Sequence, residues 1–344
     1  MKKNLVLIAI TLALSLSWVG CNKSGKLSKS STFNPPSGPV ELKLKWPVGE
    51  RIVQDFDLKQ KMEISVPGQP GPMKQDITMG QRYGLTVLQE TPDGGHEVEL
   101  EFLSARMSVM MGGKTVISFD STKNTANDNA NPQMAAVQKS VAGTFQKIIS
   151  AKIQYFFDAS NDVERIEGVD ALLNRLGTGD QADASSSIKS MFSEGYFKQM
   201  IGSSRYMPPK PVQPGDTWPI KTDIAMGDLG TMTIDYDYTF QSWQMHGKRN
   251  CARLEFQGTV QSKPGQTPGA SGMTMSISDG NSSGVSWFDP DLGITIDTTI
   301  NQDMKMVMNI PMNPRGNAAG AAGRTQALTN VMSQVINVKL LSVK

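Results

Sequence analysis

The side chains that most often carry catalysis or bind metals are scarce in this chain. Its two histidines, His96 and His246, lie far apart in the sequence, and each adjoins a glycine that indicates a turn. Histidine is the usual general base and metal ligand, but one metal site here would need both histidines plus acids, without any close spacing. The sequence therefore predicts no metal site and no cofactor.

Other catalytic patterns are also absent. The chain has no Gly-x-Ser-x-Gly motif, and its glycine-rich stretch at 320–323 lacks the lysine of a phosphate-binding loop. Asp235 and Asp237 alternate with Ile234, Tyr236 and Tyr238, which is typical of the solvated face of a strand. We expect no catalytic residues and no enzyme activity. A hydrolase with two converging carboxylates is the less favoured alternative.

Methionine is the unusual feature, with 21 residues. Three stretches place methionine or isoleucine at every second position, so that in a strand these side chains share one face. Their members are Met62 and Ile64, then Met273 and Met275, then Met304, Met306 and Met308. They are the candidate lining of an apolar ligand site.

Three interpretations of these stripes remain open. The first is a packed core in which methionine serves as filler, and the second is an adaptable apolar cavity or groove for acyl chains or a hydrophobic segment. The third is a Cu(I) site built from thioethers, which is disfavoured because no histidine lies near the stripes in the sequence.

The N-terminus has the organisation of a secretory signal. Lys2 and Lys3 precede the apolar-rich run 5–19, which is short for a membrane-spanning helix of about 20 residues. Residues 18–21 resemble a bacterial lipobox, with Gly20 and Cys21 matching and Trp18 departing from the usual aliphatic residue. The alternative is an ordinary secretory signal with an incidental cysteine.

The resemblance to a lipobox implies a lipid anchor. Residues 1–20 would be removed as the signal peptide, and Cys21 would carry acyl chains such as palmitate, which hold a protein at a membrane. Asn22, by resemblance to the sorting rule of proteobacterial lipoproteins, points to the outer membrane. Residues 21–40 are rich in Ser, Lys, Gly and Pro and predict a flexible tether.

Charge and cysteine content restrict the partners. Without residues 1–20 the chain has 32 basic and 32 acidic residues, and this balance argues against nucleic acid and against a polybasic membrane-binding face. Cys251 would then have no intramolecular partner, and we interpret it as a small buried apolar residue. The predicted partners are the membrane, through the anchor, and a hydrophobic ligand or an envelope protein.

The remaining sequence predicts a mainly β protein with a helical insert, built as a curved antiparallel sheet or half-barrel. Strands are predicted at 41–46, 51–66, 77–88, 97–109, 273–278 and 284–288, among others, and helices at 132–149, 169–176 and 186–201. The proline-rich stretch 208–215 divides the chain into a first half at 41–207 and a second at 208–344. The turn 47–51 resembles 213–217, which suggests a degenerate duplication.

The order of these features resembles that of a family of uncharacterised bacterial lipoproteins. The matching motifs are Pro-Val-x-Pro-Gly-Asp-Thr-Trp at 211–218 and Trp-Phe-Asp-Pro at 287–290. More distantly, the pattern is similar to the half-barrel carriers and acceptors of lipoprotein trafficking, an analogy of fold only. The resemblance implies an envelope lipoprotein that binds a hydrophobic ligand or an envelope partner. A scaffold without a ligand is the alternative.

Overall fold

The structure is a computed structural model that describes residues 36–123, 132–176, 197–198, 206–225, 230–263, 274–311 and 325–344. These residues form one curved, open antiparallel sheet of twelve strands. The strands are β1 (Arg51–Ser65), β2 (Met73–Glu90), β3 (His96–Met111), β4 (Lys114–Asp120), β5 (Lys152–Phe157), β6 (Val163–Glu167), β7 (Thr217–Ala225), β8 (Thr231–His246), β9 (Arg249–Lys263), β10 (Thr274–Asp289), β11 (Ile294–Pro311) and β12 (Thr325–Val343). The predicted fold class is confirmed.

The strand order shows how the chain builds this sheet. From edge to edge it runs β6-β5-β3-β2-β1-β12-β11-β10-β9-β8-β7, with β4 paired to β3 as a branch. The first strand of the sequence therefore pairs with the last, near the middle of the sheet. Both predicted halves contribute to the same sheet, and their pairing is the contact between β1 and β12.

The two faces of the sheet follow from alternation along the strands. In β1, Ile52, Phe56 and Leu58 are buried, whereas the intervening Asp57 and Lys59 are not. We call the buried face the inner face and the other the outer face. The outer face carries ion pairs such as Arg82 with Asp55 at 2.8 Å. Burial of one face fixes the strand register, because a slip of one residue would turn every side chain over.

Helices α1 (Pro132–Ile148) and α2 (Val169–Leu176) lie within the described part of the first half. Helix α1 packs on β4, where Phe145 stacks on Phe119 with ring centroids 5.7 Å apart. Helix α2 buries Val169, Leu172 and Leu176. Both match the predicted helices at 132–149 and 169–176, since proline is favoured at the first position of a helix and the apolar spacing is that of one helical face.

Two sequence-based predictions are wrong. Residues 41–46 are not a strand: they alternate as predicted, with Leu42, Leu44 and Trp46 buried, but they pass across strand ends and lack a continuous partner. Residues 273–278 and 284–288 are not separate strands either. From Thr274 they belong to the single strand β10, because the polar stretch at 279–281 continues the pairing with β11 through a bulge between Ile277 and Asp279.

The starts of the two halves share a backbone hydrogen-bond pattern. Gly49 N donates to Val87 O at 2.8 Å and Val87 N to Glu50 O at 3.0 Å, before β1 and at β2. Before β7 and at β8, Gly215 N donates to Phe240 O at 2.7 Å and Phe240 N donates to Asp216 O at 2.9 Å, which is the same pattern. Both glycines have a positive φ, which glycine adopts without strain. A degenerate duplication with its boundary near 208 stays a prediction that this pattern supports.

Several predicted features lie outside the described residues. They include the signal at 1–20, Cys21, the tether as far as residue 35, Met273 and nearly all of the helix predicted at 186–201. Within the parts of the chain that are described, no helix has the length and apolar character needed to cross a membrane.

Candidate functional site

The predicted methionine stripes meet on the inner face. Met62 of β1 lies directly opposite Met332 of β12, and Met332 lies directly opposite Met304 of β11. Three methionines therefore form a row across three adjacent strands, and they are 1, 2 and 6 % exposed, in the order Met62, Met332, Met304. The central member, Met332, was missed from the sequence because no second methionine follows it in alternation.

The next positions along the strands extend this surface. Ile64 lies opposite Asn330, which lies opposite Met306, and Met306 lies opposite Ile277 on β10. Met308 and Met275 are also opposite each other. We call this region the methionine cluster: Met62, Ile64, Met275, Met304, Met306, Met308 and Met332.

The structure thus brings together every predicted stripe residue that it describes. They are buried or partly buried members of one continuous core, as the packed-core interpretation expects. Met273 lies outside the described residues. A ligand-lining role for these residues stays a prediction.

A row of polar side chains crosses the same inner face, next to the methionine row. Tyr236, Ser282, Gln302, Gln334 and Gln60 form what we call the polar row. The Tyr236 hydroxyl is 2.8 Å from Ser282 Oγ, which also accepts from Gln302 Nε2 at 3.1 Å. Gln334 Nε2 donates to Gln302 Oε1, and Gln60 Nε2 donates to Gln334 Oε1 at 3.3 Å. Five strands are linked in this way, with β9 crossed without a side-chain contact.

Gly258 explains how the polar row crosses β9. It lies opposite both Tyr236 and Ser282, so that it occupies the place of one side chain in the row. A Cβ atom there would overlap the carbonyl oxygen of Asp235 and approach Tyr236 Cδ1 to 2.8 Å. Because glycine leaves this space open, the Tyr236 ring leans across β9 and its hydroxyl reaches Ser282.

The polar row is electrically neutral. Burial raises the pKa of Tyr236 well above its usual value, although the hydrogen bond with Ser282 opposes the shift. Burial also raises the pKa of the neighbouring Tyr238. The other members are carboxamides and a hydroxyl, which do not ionise at neutral pH. The row can exchange hydrogen bonds, but it offers no charge.

Carboxamides and thioethers contact each other beside the polar row. Gln60 Nε2 also donates to Met332 Sδ, and Asn330 Nδ2 is 3.5 Å from Met62 Sδ. Thioether sulfur is a weak acceptor. Asn330 Oδ1 and both amide atoms of Gln75, the residue opposite Met62, are buried without a partner among the described residues.

A segment we call the strap, residues 40–46, closes the end of the sheet away from the methionine cluster. Val40 exchanges two backbone hydrogen bonds of 2.8 Å with Val212, just before the edge strand β7. Lys45 Nζ donates to Pro290 O at 2.6 Å, and Trp46 Nε1 donates to Asn161 Oδ1 at 2.7 Å in the turn before the other edge strand, β6. The strap therefore spans the sheet from edge to edge.

The two histidines lie apart in space as in the sequence, and Cys251 lies near His246 across the turn between β8 and β9. His246 lies on the outer face, 3.0 Å from Asp297 and stacked on Trp287. Burial lowers the pKa of His96, at the start of β3, against an opposing effect of Glu90. Burial, followed by the charge of Asp289, raises the pKa of Cys251 to about 12, so its thiol stays protonated. Among the described residues, no three His, Cys, Asp or Glu side chains converge on one point.

These observations define a class: a mainly β protein whose curved, open sheet buries a methionine-rich, uncharged inner face. The model of a family of unknown function, DUF6263, matches residues 93–295, and the chain belongs to that family. No curated protein matches the chain.

Solved structures give only distant likenesses. Lipovitellin, from a study of its lipid-protein interactions, aligns over 87 % of this chain with 8 % identity and a TM-score of 0.41, and the chain spans 26 % of its length. A Bacteroides fragilis protein provisionally described as exported, with a YmcC-like fold, aligns over 85 % of this chain and 98 % of its own at 11 % identity and a TM-score of 0.25. A provisionally assigned lipoprotein from Parabacteroides distasonis aligns over 90 % of this chain and 100 % of its own, at 10 % identity and a TM-score of 0.26. Likenesses at these scores carry no argument about function.

The polar row was not predicted from the sequence, although the positions of its glutamines give a recognisable pattern. Gln60, Gln302 and Gln334 each stand at an inward position with an apolar neighbour two residues before and after, as in Leu58-x-Gln60-x-Met62. A glutamine that keeps the phase of an apolar stripe is expected to be buried. Only the pairing of β12 with both β1 and β11 shows that the three glutamines are neighbours.

Proposed function

We propose that this chain is a lipid-anchored protein of the bacterial cell envelope that binds a hydrophobic ligand inside the curved sheet, without catalysing a reaction. The observation that carries the proposal is the methionine cluster, a continuous inner surface on β1, β12, β11 and β10. Methionine has three rotatable side-chain bonds and a polarisable sulfur, so a cluster of them repacks around guests of different shape.

The energetics favour an acyl chain as the guest. Each methylene that leaves water for an apolar site gains about 0.8 kcal/mol, and the cluster offers no charge that an apolar chain would have to desolvate. Side chains must move aside for entry, because Met62 and Met332 are almost fully buried. We propose that the guest enters at the end of the sheet where the methionines lie, because the strap covers the opposite end.

A dye-binding measurement tests the ligand site. The protein without residues 1–20 and with Cys21→Ser should raise the fluorescence of N-phenyl-1-naphthylamine in its native state, and hexadecane should displace the dye. Replacing Met62, Met304 and Met332 together by leucine keeps the site apolar but stiffens it, and we expect weaker dye binding. Leucine for methionine costs less than about 1.5 kcal/mol of stability per site.

The matched control is Met245→Leu, because this methionine is 54 % exposed at the end of β8 and outside the cluster. It should bind the dye like the parent protein. If the native parent protein gives no fluorescence increase, the ligand-binding function is wrong. Cross-linking to one dominant envelope protein would then favour the scaffold alternative.

The anchor is tested separately. Cys21→Ser in the full chain should move the protein from the membrane fraction to the soluble fraction, because the lipobox-like sequence provides the acylated residue. Density-gradient separation of the parent protein should place it with the outer membrane, as Asn22 suggests. A Cys21→Ser protein that stays in the membrane fraction would contradict lipid anchoring.

A further inference from the structure

Two carboxamides beside the methionine row have unused hydrogen-bonding capacity. Gln75 and Asn330 are 1 and 2 % exposed. Both amide atoms of Gln75 and the Oδ1 atom of Asn330 are without a partner among the described residues. A buried polar group without a partner destabilises the fold, and nearly all such groups in native proteins find one. Their position therefore calls for a specific explanation.

The register places both side chains around Met62. Gln75 lies on β2 directly opposite Met62, and Asn330 lies on β12 opposite Ile64, with its Nδ2 3.5 Å from Met62 Sδ. One strand, β1, separates them, so their backbones are about two strand spacings, or about 10 Å, apart. Gln75 thus lies beside the methionine cluster at its β2 side, and Asn330 lies within the cluster, between Ile64 and Met306.

The surroundings of Gln75 and Asn330 favour an uncharged ligand. Among the described residues, the buried polar side chains are neutral, apart from Asp289. Asp289 lies at the far end of the sheet, where Arg249 Nη1 is 2.6 Å away and the Asp291 and Leu292 amides donate to its Oδ1. In the described part of the chain, no buried cation lies near Gln75 to compensate a phosphate or carboxylate, and an uncompensated buried anion is strongly unfavourable.

The unused groups also define the polar part of that ligand. Gln75 Nε2 is a donor and requires an acceptor such as an ester carbonyl. Gln75 Oε1 and Asn330 Oδ1 are acceptors and require a donor such as a hydroxyl. Resting on the function proposed above, we propose that the ligand is an uncharged ester lipid of the diacylglycerol type. Its glycerol ester and hydroxyl bind Gln75 and Asn330, and its acyl chains lie along the methionine cluster.

Competition against bound N-phenyl-1-naphthylamine at pH 7.5 tests this assignment, with the Cys21→Ser protein lacking residues 1–20. The competitors are dioleoylglycerol, the anionic dioleoylphosphatidate with the same two acyl chains, and hexadecane. Dioleoylglycerol should displace the dye at a concentration at least about tenfold below that of dioleoylphosphatidate, about the factor that one neutral hydrogen bond supplies. Gln75→Met combined with Asn330→Leu should abolish most of this preference and leave displacement by hexadecane unchanged.

Gln54→Met is the matched control. Gln54 is also on the inner face of β1, also 1 % exposed and also without a partner for its amide atoms among the described residues. It lies six residues from Gln60, toward the strap, and away from the methionine cluster. This variant should keep the preference for dioleoylglycerol.

The outcomes separate the two proposals. A preference that survives in the Gln75→Met, Asn330→Leu protein, or a parent protein that prefers dioleoylphosphatidate, overturns the assignment of an uncharged ester lipid and leaves the hydrophobic site standing. A parent protein that binds neither the dye nor any competitor overturns both. Because the substitutions remove three buried amide atoms that have no partner among the described residues, we expect the variant to fold, and a thermal midpoint no lower than that of the parent protein will verify this.

Discussion

Gln60 and Gln334 lie directly opposite each other where the first and last strands of the sheet pair, and Gln60 Nε2 donates to Gln334 Oε1 at 3.3 Å. The polar row thus crosses the pairing that joins the N-terminal and C-terminal halves. A slip of one residue between β1 and β12 would separate these carboxamides and bring Lys61 or Ser333 to the inner face. The hydrogen bonds therefore support one register over its neighbours.

Removing the middle of the polar row should destabilise the protein. Gln334→Leu deletes the acceptor of Gln60 and the donor to Gln302, and leaves both buried carboxamides with fewer partners. We expect the free energy of unfolding to fall by about 1–3 kcal/mol, measured by urea denaturation. Gln257→Leu, on the exposed outer face of β9, should change it by no more than about 0.5 kcal/mol. Equal stability of the two variants would mean that the row contributes nothing.

Gly258 should tolerate no side chain. Gly258→Ala forces a Cβ against the Asp235 carbonyl and the Tyr236 ring, and overpacking of this kind costs about 1–3 kcal/mol. The comparison is Gly143→Ala in the interior of α1, where a Cβ meets no atom within 4 Å. That change should raise stability by about 0.5–1 kcal/mol, because alanine is more favourable than glycine in the interior of a helix. Thermal unfolding of both variants should show that Gly258→Ala lowers stability and Gly143→Ala raises it. An increase in stability for Gly258→Ala would contradict the packing described at β9.

The strap should loosen when Trp46 loses its hydrogen bond. Trp46→Phe removes the donor to Asn161 Oδ1 but keeps an aromatic ring to stack on Phe157, now 5.0 Å away between centroids. We expect a loss of about 1–2 kcal/mol and faster hydrogen exchange of the Lys45 amide, which donates to Gly293 O. Val48→Ala, at a side chain 53 % exposed nearby, should change neither. Unaltered exchange at Lys45 in Trp46→Phe would show that Trp46 does not hold the strap.

Mild acid should weaken the fold through His96. Burial lowers the pKa of His96 in the folded protein, so the unfolded chain takes up the proton first, near pH 6.5. Stability is then constant above that pH and decreases as the pH falls from about 7 toward 5. His96→Gln should remove this decrease in the thermal midpoint.

The carboxylates act in a different pH range. Hydrogen bonds from Thr122 and Thr233 lower the pKa values of Asp120 and Asp223 respectively. Their contribution to stability is therefore present above the pH where free aspartate titrates, about 3.9, and is lost below it. If the thermal midpoint of the His96→Gln protein still decreases between pH 7 and 5, a group other than His96 causes the decrease.

Alternation along the chain was sufficient to predict much of the fold. Val98, Leu100 and Phe102 identify β3, and they are buried as expected. The alternation of Leu42, Leu44 and Trp46 was read correctly as burial but wrongly as a strand, since side-chain phase does not reveal whether a backbone has a neighbour to pair with. Residues 279–283 fall between two predicted strands, but a bulge between Ile277 and Asp279 keeps them within β10.

The candidate site was predictable only in pieces. Each methionine stripe was visible in the sequence, because two or three residues in alternation suffice to indicate a shared face. Met332, Gln334 and Asn330 were not assigned to the site, because their relevance depends on β12 lying between β1 and β11. That pairing joins residues more than 260 positions apart, and no local pattern encodes it.

Native mass spectrometry of the Cys21→Ser protein, isolated from cells without detergent, tests the central claim most directly. We predict a folded species that carries the mass of an uncharged lipid, loses it on denaturation, and carries less of it when Met62, Met304 and Met332 are leucine. A folded species with the mass of the polypeptide alone, which also fails to take up added dioleoylglycerol or hexadecane, would contradict a ligand-binding function for the inner face.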